Sequence, residues 1–425
     1  MRTCAGSSVL TLGVSIMTGK ANDHSAGPFN AQQNIGIRAL LPIMGAVFIA
    51  FLVTGMALPV LPLHVHHGLG LSTFVVGLVA GTQFAAAILS RVWAGRTADA
   101  SGAKRAVIAG LVIAAASGLF YLASLSFLGT PALSATVLLL GRALLGVGES
   151  FIITGGQSWG LALLGVGNTS KVLAWVGSAM FAAFAAGAPI GVALYAGYGF
   201  TGVALATTLV PLATLGLVVP LRPVPSATHV RTGLLKVMAA VWVPGVASAL
   251  SSVGFGAVTA FSALLFVARG WPAWPAFSMF ALAFIITRMF LGHLADRFGG
   301  AKVALISVLV EALGLGLVEL ASGLALALAG AALTGLGYSL VYPGLGVEAV
   351  RRVPADSRGL AMGAYTAFLD VALGFGTPAL GLLANVAGLG AVFLASAVAA
   401  LCAAPIAASF LRSSATPALA NGVSG

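Results

Sequence analysis

The chain has 425 residues, of which 60% are hydrophobic and only 7% are charged, and its mean hydropathy is +1.08. Apolar runs of about 20 residues recur along its length, which is too much apolar sequence for the core of a water-soluble domain, so we expect a membrane protein. The net charge of +11 is spread over short loops with no folded domain to present it, and this distribution argues against nucleic acid as a partner.

The apolar runs are continuous and show no alternation with a period of two residues, which favours helices over the strands of a membrane barrel. Because the bilayer core offers no water to the backbone, each span must satisfy its own polar groups as an α-helix. We therefore expect an all-α integral membrane protein with twelve transmembrane helices. They are predicted at residues 39–63, 73–94, 105–126, 133–156, 171–196, 200–220, 238–266, 274–293, 303–321, 324–347, 359–384 and 389–410.

The spans divide into two sets of six on either side of a short segment that contains Pro223 and Pro225. A segment of this length that is interrupted by proline is a linker and not a domain. Near the amino terminus, residues 9–17 weakly resemble a signal peptide but lack a convincing cleavage site, so we expect a tail, in which Met17 is an alternative start. The predicted parts are a cytoplasmic tail at 1–37, a six-helix bundle at 38–221, a cytoplasmic linker at 222–236, a second six-helix bundle at 237–411 and a cytoplasmic tail at 412–425.

Basic residues are divided unevenly between the two sides of the predicted bundle. With both termini in the cytoplasm, nearly all lysines and arginines lie in cytoplasmic segments, Arg269 lies outside and Arg142 lies within a span. Short loops rich in Lys and Arg stay in the cytoplasm, so this asymmetry predicts the orientation.

Two stretches share one pattern at a constant offset. Ser90–Asp99 and Thr287–Asp296 have Arg, Gly, Ala and Asp at positions 197 residues apart, and each stretch leads into Gly-x-Lys. Because Arg and Asp are scarce in this chain, the match indicates a duplicated membrane module, which is typical of transporters. Further matches, at an offset of 189, join Gly146–Ser150 with Gly335–Ser339 and Gly187–Pro189 with Gly376–Pro378.

Residues 95–105 have the sequence GRTADASGAKR and resemble the signature loop of the major facilitator superfamily, and residues 292–302 repeat the pattern where the second half of that family repeats it. Residues 142–148 resemble the fourth-helix motif of the family, whose arginine is linked to proton coupling, although Leu145 replaces the usual Gln. Residues 177–191 resemble the fifth-helix antiporter motif in part, since Ala188-Pro189 stands where the motif has Gly-Pro.

The resemblance covers roughly residues 38–411 and implies two pseudo-symmetric six-helix bundles that work by alternating access. In finer detail the chain resembles the bacterial arabinose-efflux-like and drug-efflux permeases. This implies a multi-pass protein of the bacterial inner membrane, for which a monomer is sufficient and no cofactor is needed.

The resemblance also implies a cytoplasmic gate made by the two signature loops. Its candidate residues are Gly95, Asp99, Arg105, Asp296 and Arg297. Gly95 lacks a side chain where two helices are expected to approach closely, and Asp99 is suited to meet an arginine or a helix amino terminus. The alternative is that Asp99 only neutralises a neighbouring arginine of its own loop.

Three ionisable residues lie deep in the predicted spans and are candidates for proton coupling: Arg142, Glu149 and Asp370. Each costs about 2.5–3.5 kcal/mol at the bilayer centre, so each should face the protein interior and have a partner. Arg142 and Glu149 share one face of the fourth span, about 10 Å apart along it. Asp370 has no basic residue nearby in sequence and suits a reversible proton carrier. The alternatives are a static ion pair or carbonyl bonds for Arg142, and a helix-capping role for Asp370.

A substrate cavity is expected near the midplane, between the two halves. Few fixed charges and several aromatic residues there favour a neutral, amphipathic or zwitterionic solute over a polyanion. Each candidate is also an ordinary packing or hydrogen-bonding residue of a helix bundle. The candidates are Thr54, Gln83, Gln157, Ser251, Ser252, Phe255, Thr259, Tyr338 and Tyr342.

The remaining polar residues in or near the spans have ordinary interpretations. Glu311 and Glu319 are expected to have interfacial or helix-packing roles, and Glu348 adjoins two arginines at a helix end. The histidines at 64, 66 and 67 have no acidic or cysteine partner nearby, so we expect a solvated cluster and no metal site.

The function that best fits these observations is proton-coupled export of a small organic solute, either a sugar-like compound or a drug. Proton-linked uptake is the alternative, because a fold does not determine direction, and a non-transporting receptor is a third possibility. No nucleotide-binding loop of the Gly-x-x-x-x-Gly-Lys-Ser/Thr type occurs in the sequence, which argues against an ATP-driven pump. We do not expect an enzyme.

Overall fold

The computed structural model describes the backbone of residues 28–165, 169–224, 234–353 and 358–414, and most of their side chains from Leu40 onward. The predicted tails, up to residue 27 and from 415 on, and the linker at 225–233 lie outside the described residues. The described residues from Leu40 onward form one compact unit, and those before Leu40 belong to a separate unit.

Every regular element among the described residues is helical. The helices are α1 (Pro28–Leu63), which continues into a π-helical turn (His64–Gly68), α2 (Thr73–Ser101), α3 (Ala103–Leu125), α4 (Pro131–Leu164), α5 (Thr169–Val218), α6 (Leu234–Ala268), α7 (Pro275–Leu291), α8 (Leu294–Phe298), α9 (Gly300–Leu320), α10 (Leu324–Val350), α11 (Arg358–Ala387) and α12 (Leu389–Ser414).

Ten helices of the described chain are long and apolar enough to cross a membrane, and α7 is a shorter apolar helix. One of the ten, α5, contains Gly199 with φ 63° and ψ −160°, a conformation that breaks the helix and that glycine adopts at low cost. Its two arms are the fifth and sixth spans, so α6 and α7 are the seventh and eighth. The predicted twelve-span, all-α architecture is therefore confirmed.

The same sharp turn ends the second span of each half. Gly102 between α2 and α3 has φ 96°, and Gly299 between α8 and α9 has φ 90°. Only glycine adopts these angles without strain, so a residue with a side chain would disfavour either turn. Gly102 and Gly299 are 197 positions apart, which is the offset of the sequence repeat. We call this end of the bundle the basic face; its cations are Arg96, Lys104, Arg105, Arg297 and Lys302.

The duplication extends to the packing of the helices. Three glycines of α4 and three matched glycines of α10 each lie against the helices preceding them. In the first half Gly146, Gly148 and Gly155 contact Gln83, Gly110 and Ala103, in that order. The matched glycines of the second half, Gly335, Gly337 and Gly344, contact Phe280, Ser307 and Gly300. A Cβ at Gly155 would lie 3.0 Å from the Ala103 carbonyl oxygen, and one at Gly344 would lie 2.9 Å from that of Gly300. Small residues thus allow the same close backbone contacts in both halves.

Candidate functional site

The two halves touch closely at the end of the bundle opposite the basic face. The Thr73 hydroxyl, at the start of α2, donates to the Gly381 carbonyl of α11 at 2.9 Å. One turn further along, the Thr377 hydroxyl of α11 donates to the Gly77 carbonyl of α2 at 3.2 Å. The backbones of α2 and α11 therefore meet at this end, which we call the closed face.

A second contact between the halves joins α5 to α7. The rings of Phe181 and Phe284 stack with centroids 3.7 Å apart, and the Ser278 hydroxyl donates to the Ala185 carbonyl at 3.4 Å. Together with the α2–α11 contact, this aromatic packing closes the space between the halves on the side away from the basic face.

Toward the basic face the same helices have open space between them. A Cβ at Gly95 of α2, Gly177 of α5 or Gly363 of α11 would meet no atom within 4 Å. Asp99 is exposed and makes no hydrogen bond or ion pair with the side chains that the structure describes. The protein is therefore open toward the basic face and closed at the other end.

The predicted gate would join the two halves only when the helix ends at the basic face meet, so this open conformation does not test it. No close helix approach occurs at Gly95 in this conformation, and Asp99 contacts neither an arginine nor a helix amino terminus among the described residues, because the helix ends at the basic face are apart. Arg105 and Arg297 are exposed, and Arg297 lies 5.3 Å from the Phe298 ring centroid. The side chain of Asp296 lies outside the described residues.

An ion pair joins the two halves between the closed and open regions. Arg91 of α2 donates from Nη2 to Oδ2 of Asp370 in α11; the side chains are 27% and 8% exposed. No basic residue is near Asp370 in sequence, and its partner in the structure lies 279 residues away. Arg91 had been expected only to contribute to the cytoplasmic charge.

Glu149 of α4 is buried among polar groups from two neighbouring helices. Its two carboxylate oxygens accept hydrogen bonds from the Thr54 hydroxyl of α1 and the Gln83 amide of α2. Thr54 and Gln83 had been expected to line the cavity, but both are buried and bond to Glu149. Hydrogen bonds of this kind stabilise a charged carboxylate where no cation is within reach.

Arg142 is also buried, about two helical turns from Glu149 along α4. It donates to the Val79 carbonyl at 3.2 Å and to the Tyr121 hydroxyl at 3.3 Å. No salt bridge joins it to Glu149 among the described side chains, since seven residues of helix separate them by about 10 Å. The static ion-pair alternative is therefore wrong, and bonding to a backbone carbonyl is what the structure shows.

Aromatic and hydroxyl groups of the second half gather beside α7. Phe255 of α6 stacks on Tyr338 of α10 with centroids 5.3 Å apart, and the Ser252 and Tyr338 hydroxyls are 3.3 Å apart. Nearer the basic face, the hydroxyls of Tyr342 and Thr366 are 2.6 Å apart. The predicted cavity residues Ser252, Phe255, Tyr338 and Tyr342 thus lie along one face of the second half.

Arg288 of α7 lies beside this aromatic group and was not among the predicted site residues. Its guanidinium carbon is 5.3 Å from the Phe284 ring centroid, and the side chain is half-buried. Tyr338, Tyr342 and Tyr365 are its electrostatic neighbours. The signal that could have identified it is the sequence repeat, in which Arg288 matches Arg91.

The other predicted cavity residues are dispersed. The Ser251 hydroxyl of α6 donates to Glu311 of α9, whose side chain is completely buried, so the interfacial option for Glu311 is wrong and the packing role remains. Thr259 donates to the Phe255 carbonyl of its own helix at 2.9 Å and, with Arg142, lines a small pocket between α1, α2, α4 and α6. Gln157 is half-buried on α4.

The histidine group does not form the predicted solvated cluster as a whole. His64 is buried, and its ring stacks on Phe200 at 4.0 Å. His66 lies with Nδ1 2.8 Å from the Leu71 carbonyl oxygen, and His67 is exposed. Among the described residues no group of three or more metal-ligating side chains occurs.

Charged groups at the two ends of the bundle make local contacts. At the basic face, Lys104 donates to the carbonyls of Val219 at 2.6 Å and Leu221 at 2.7 Å, which satisfies carbonyls at the end of α5. At the closed face, Arg269 and Glu319 form an ion pair at 2.6 Å. The Lys104 contact was not predicted, since the sequence does not show that α3 begins beside the end of α5.

At the end of α10, Arg351 and Glu348 form an ion pair at 3.2 Å. The Arg351 side chain is 58% exposed, so this pair contributes little to stability. A salt-bridged gate and a solvated cluster were both compatible with the sequence around Glu348; the structure shows the salt bridge, and Glu348 is buried and not solvated.

A family model described as Major Facilitator Superfamily matches residues 43–276 and 270–423. An uncharacterised MFS-type transporter of Salmonella typhimurium is 43% identical over 374 residues, which cover 88% of this chain and 96% of that protein. A similarly described transporter of Burkholderia pseudomallei is 39% identical over 364 residues, which cover 85% of this chain and 89% of that protein.

Solved structures of transporters have the same fold. The nucleoside transporter NupG superposes with a TM-score of 0.68 at 15% identity, covering 89% of this chain and 99% of that one. The E. coli fucose:proton symporter FucP has a TM-score of 0.62 at 14% identity, covering 88% and 98%. The human organic anion transporter MFSD10 has a TM-score of 0.65 at 15% identity, covering 88% and 99%. At these identities the likeness shows the fold alone.

Proposed function

The chain belongs to the major facilitator superfamily, and from that premise we propose that it is a proton-coupled exporter of a small organic solute, either a sugar-like compound or a drug. It is a multi-pass membrane transporter of small molecules and not an enzyme. In the proposal, the halves at 38–221 and 237–411 rock about a central cavity that opens to each side of the membrane in turn.

The observation that carries the proposal is the ion pair between Arg91 and Asp370. It bridges α2 and α11 at the level where their contact ends and the open region begins. Removing one charge from a buried ion pair costs about 3–5 kcal/mol because the other charge is left unpaired. A proton on Asp370 cancels the attraction between the halves, so proton binding and the relative movement of α2 and α11 become linked.

Glu149 is the second proton-coupling group in the proposal. Its oxygens accept hydrogen bonds from Thr54 of α1 and Gln83 of α2, so a change in its protonation changes the contacts among three helices of the first half. Arg142, held by Val79 and Tyr121, supplies a fixed positive charge in the same helix. These contacts support a coupling role, because protonation of Glu149 or Asp370 would weaken the bonds that each acid makes to a neighbouring helix.

We propose that the substrate cavity lies on the open side along Tyr342, which is half-buried, with Ser252, Phe255 and Tyr338 buried behind it. Aromatic faces pack against the apolar surface of a sugar ring or drug, and hydroxyls bond its polar groups. The positive-inside rule places the basic face in the cytoplasm, so this conformation opens inward. We propose the bacterial inner membrane as the location, with both termini cytoplasmic and a monomer as the working unit.

Proton-linked uptake is the second candidate. The fold is shared with a protein described as a fucose:proton symporter. In an inward-open state an exporter binds its solute from the cytoplasm and an importer releases its solute there, so this state is compatible with both directions. Direction therefore has to be measured.

The test is flux into proteoliposomes that hold the full chain and are given a pH gradient of either sign. We expect solute to move against its own gradient and opposite to the proton flow, and Asp370→Asn to abolish that coupling while downhill exchange continues. Movement with the proton flow would establish uptake instead. Full coupling in Asp370→Asn would exclude Asp370 as the proton carrier.

A further inference from the structure

The two contacts between the halves differ at one matched position. In the α2–α11 contact, Arg91 pairs with Asp370. In the α5–α7 contact, Arg288 matches Arg91 at the offset of 197 residues. Phe181 matches Asp370 at the offset of 189 residues. A phenyl ring thus replaces the carboxylate that would have neutralised the arginine.

Arg288 has no acidic partner within the described part of the chain. None of the ion pairs there includes it, and its contact is with the face of Phe284, which in turn stacks on Phe181. The tyrosines around it carry no charge at neutral pH. A cation–π contact contributes only about 0.5–2 kcal/mol, so the positive charge is not balanced by a neighbouring anion.

An arginine inside a membrane protein normally pairs with an acid or faces a water-filled cavity that carries function. Arg288 is half-buried and lies in the last turn of α7, toward the basic face, where α2, α5 and α11 have open space beside them. Its guanidinium has five donors in a planar fork, and that geometry fits a carboxylate through two parallel hydrogen bonds. The site therefore has the donors for a carboxylate, and no acidic side chain of the described residues supplies that carboxylate.

We propose that Arg288 binds the anionic group of the transported solute, and that this solute is a small organic acid with one carboxylate attached to a ring or a polyhydroxyl body. The assignment rests on the proposed transport function and names its substrate class. The carboxylate accepts hydrogen bonds from Arg288, and the body of the solute lies along the half-buried Tyr342 and Thr366, whose hydroxyls are 2.6 Å apart. Phe255 and Tyr338 are buried behind Tyr342 and support it. The sequence favoured a neutral, amphipathic or zwitterionic solute over a polyanion. A neutral solute would leave the arginine unpaired, so the proposal names a solute with a single carboxylate.

The test measures equilibrium binding of matched acid and neutral pairs to the purified full chain in detergent, without a pH gradient. The probes are gluconate with glucose, and benzoate with benzyl alcohol. We expect wild type to prefer an acid over its neutral counterpart, Arg288→Gln to weaken acid binding at least tenfold, and Arg288→Lys to retain part of it. Arg222→Gln, which changes an exposed arginine at the end of the first half, should bind as wild type does.

Two outcomes overturn the assignment: acid binding by Arg288→Gln at the wild-type affinity, or a wild-type protein that binds none of the acids better than the neutral partners. Arg288→Lys keeps the charge and, with the elution volume of each variant in size-exclusion chromatography, separates loss of binding from loss of folding. Because no gradient is applied, a failure of proton coupling in the liposome experiment leaves this result unchanged, and the two failures are distinguishable.

Discussion

Arg91 and Arg288 occupy matched positions in the two halves, and of these two arginines only Arg91 pairs with a carboxylate among the described side chains. The duplicated module therefore has one arginine that joins the halves and one whose charge is unbalanced. In our proposals the first belongs to proton coupling and the second to substrate binding. The two roles differ because the position that matches Asp370 in the other half is Phe181, which has no charge to pair with Arg288.

The Arg91–Asp370 pair should behave as one energetic unit. We expect Arg91→Gln or Asp370→Asn alone to destabilise the protein by up to about 3–5 kcal/mol, and less to the extent that water reaches Arg91. The double variant should be more stable than the sum of the two single effects, because neither group is then left unpaired. Apparent melting temperatures of the four proteins in detergent measure this coupling, and strictly additive effects would contradict it.

The hydrogen bond from Thr54 to Glu149 should contribute to stability. Thr54→Val keeps the shape of the side chain and removes the donor, so we expect a loss of about 1.5–3 kcal/mol, the range for a hydrogen bond to a charged group. Thr136→Val is the matched control, because the Thr136 hydroxyl is exposed and bonds only to its own helix. Equal melting temperatures for the two variants would show that the buried bond contributes nothing.

The balance between inward-open and outward-open states should depend on Gly77. A Cβ there would lie 2.9 Å from Cα of Pro378, so Gly77→Ala should disfavour the closed face and with it the inward-open state. A reporter is Gly95→Cys in a chain without Cys4 and Cys402, since the site has open space. We expect Gly77→Ala to slow its reaction with a water-soluble maleimide applied to open membranes.

The control for that measurement is Gly216→Ala, since a Cβ at Gly216 would meet no atom within 4 Å. Reaction at the wild-type rate in the Gly77→Ala protein would show that the α2–α11 contact does not govern the opening of the basic face.

Asp99 should matter for transport although it has no partner among the described side chains. The proposed gate forms when the inner helix ends meet, a state other than the one described here. We therefore expect Asp99→Asn to reduce flux without changing the amount of protein in the membrane. Quantified expression and proteoliposome flux test this together, and wild-type flux would remove Asp99 from the gate.

The candidate site was only partly predictable. Thr54, Gln83 and Ser251 were identified as polar residues of the spans, but the structure shows that they serve Glu149 and Glu311. Helical periodicity shows that such residues face the protein interior, yet it does not show which helix they face. Ser252, Phe255 and Tyr338 lie together because α6 and α10 are adjacent in the duplicated fold, and all three are buried.

The sequence alone determined the class of protein, the twelve apolar spans and the duplication, since these depend on local hydrophobicity and on patterns such as the Arg91 and Arg288 match. Only the tertiary structure decided that Asp370 pairs with Arg91, that Arg142 binds Tyr121 and Val79, and that Arg288 has a ring where Arg91 has an acid. The physical reason is that a bilayer selects helices by their own composition. Charge pairing depends on atoms brought within a few ångströms by helices that are far apart in the chain.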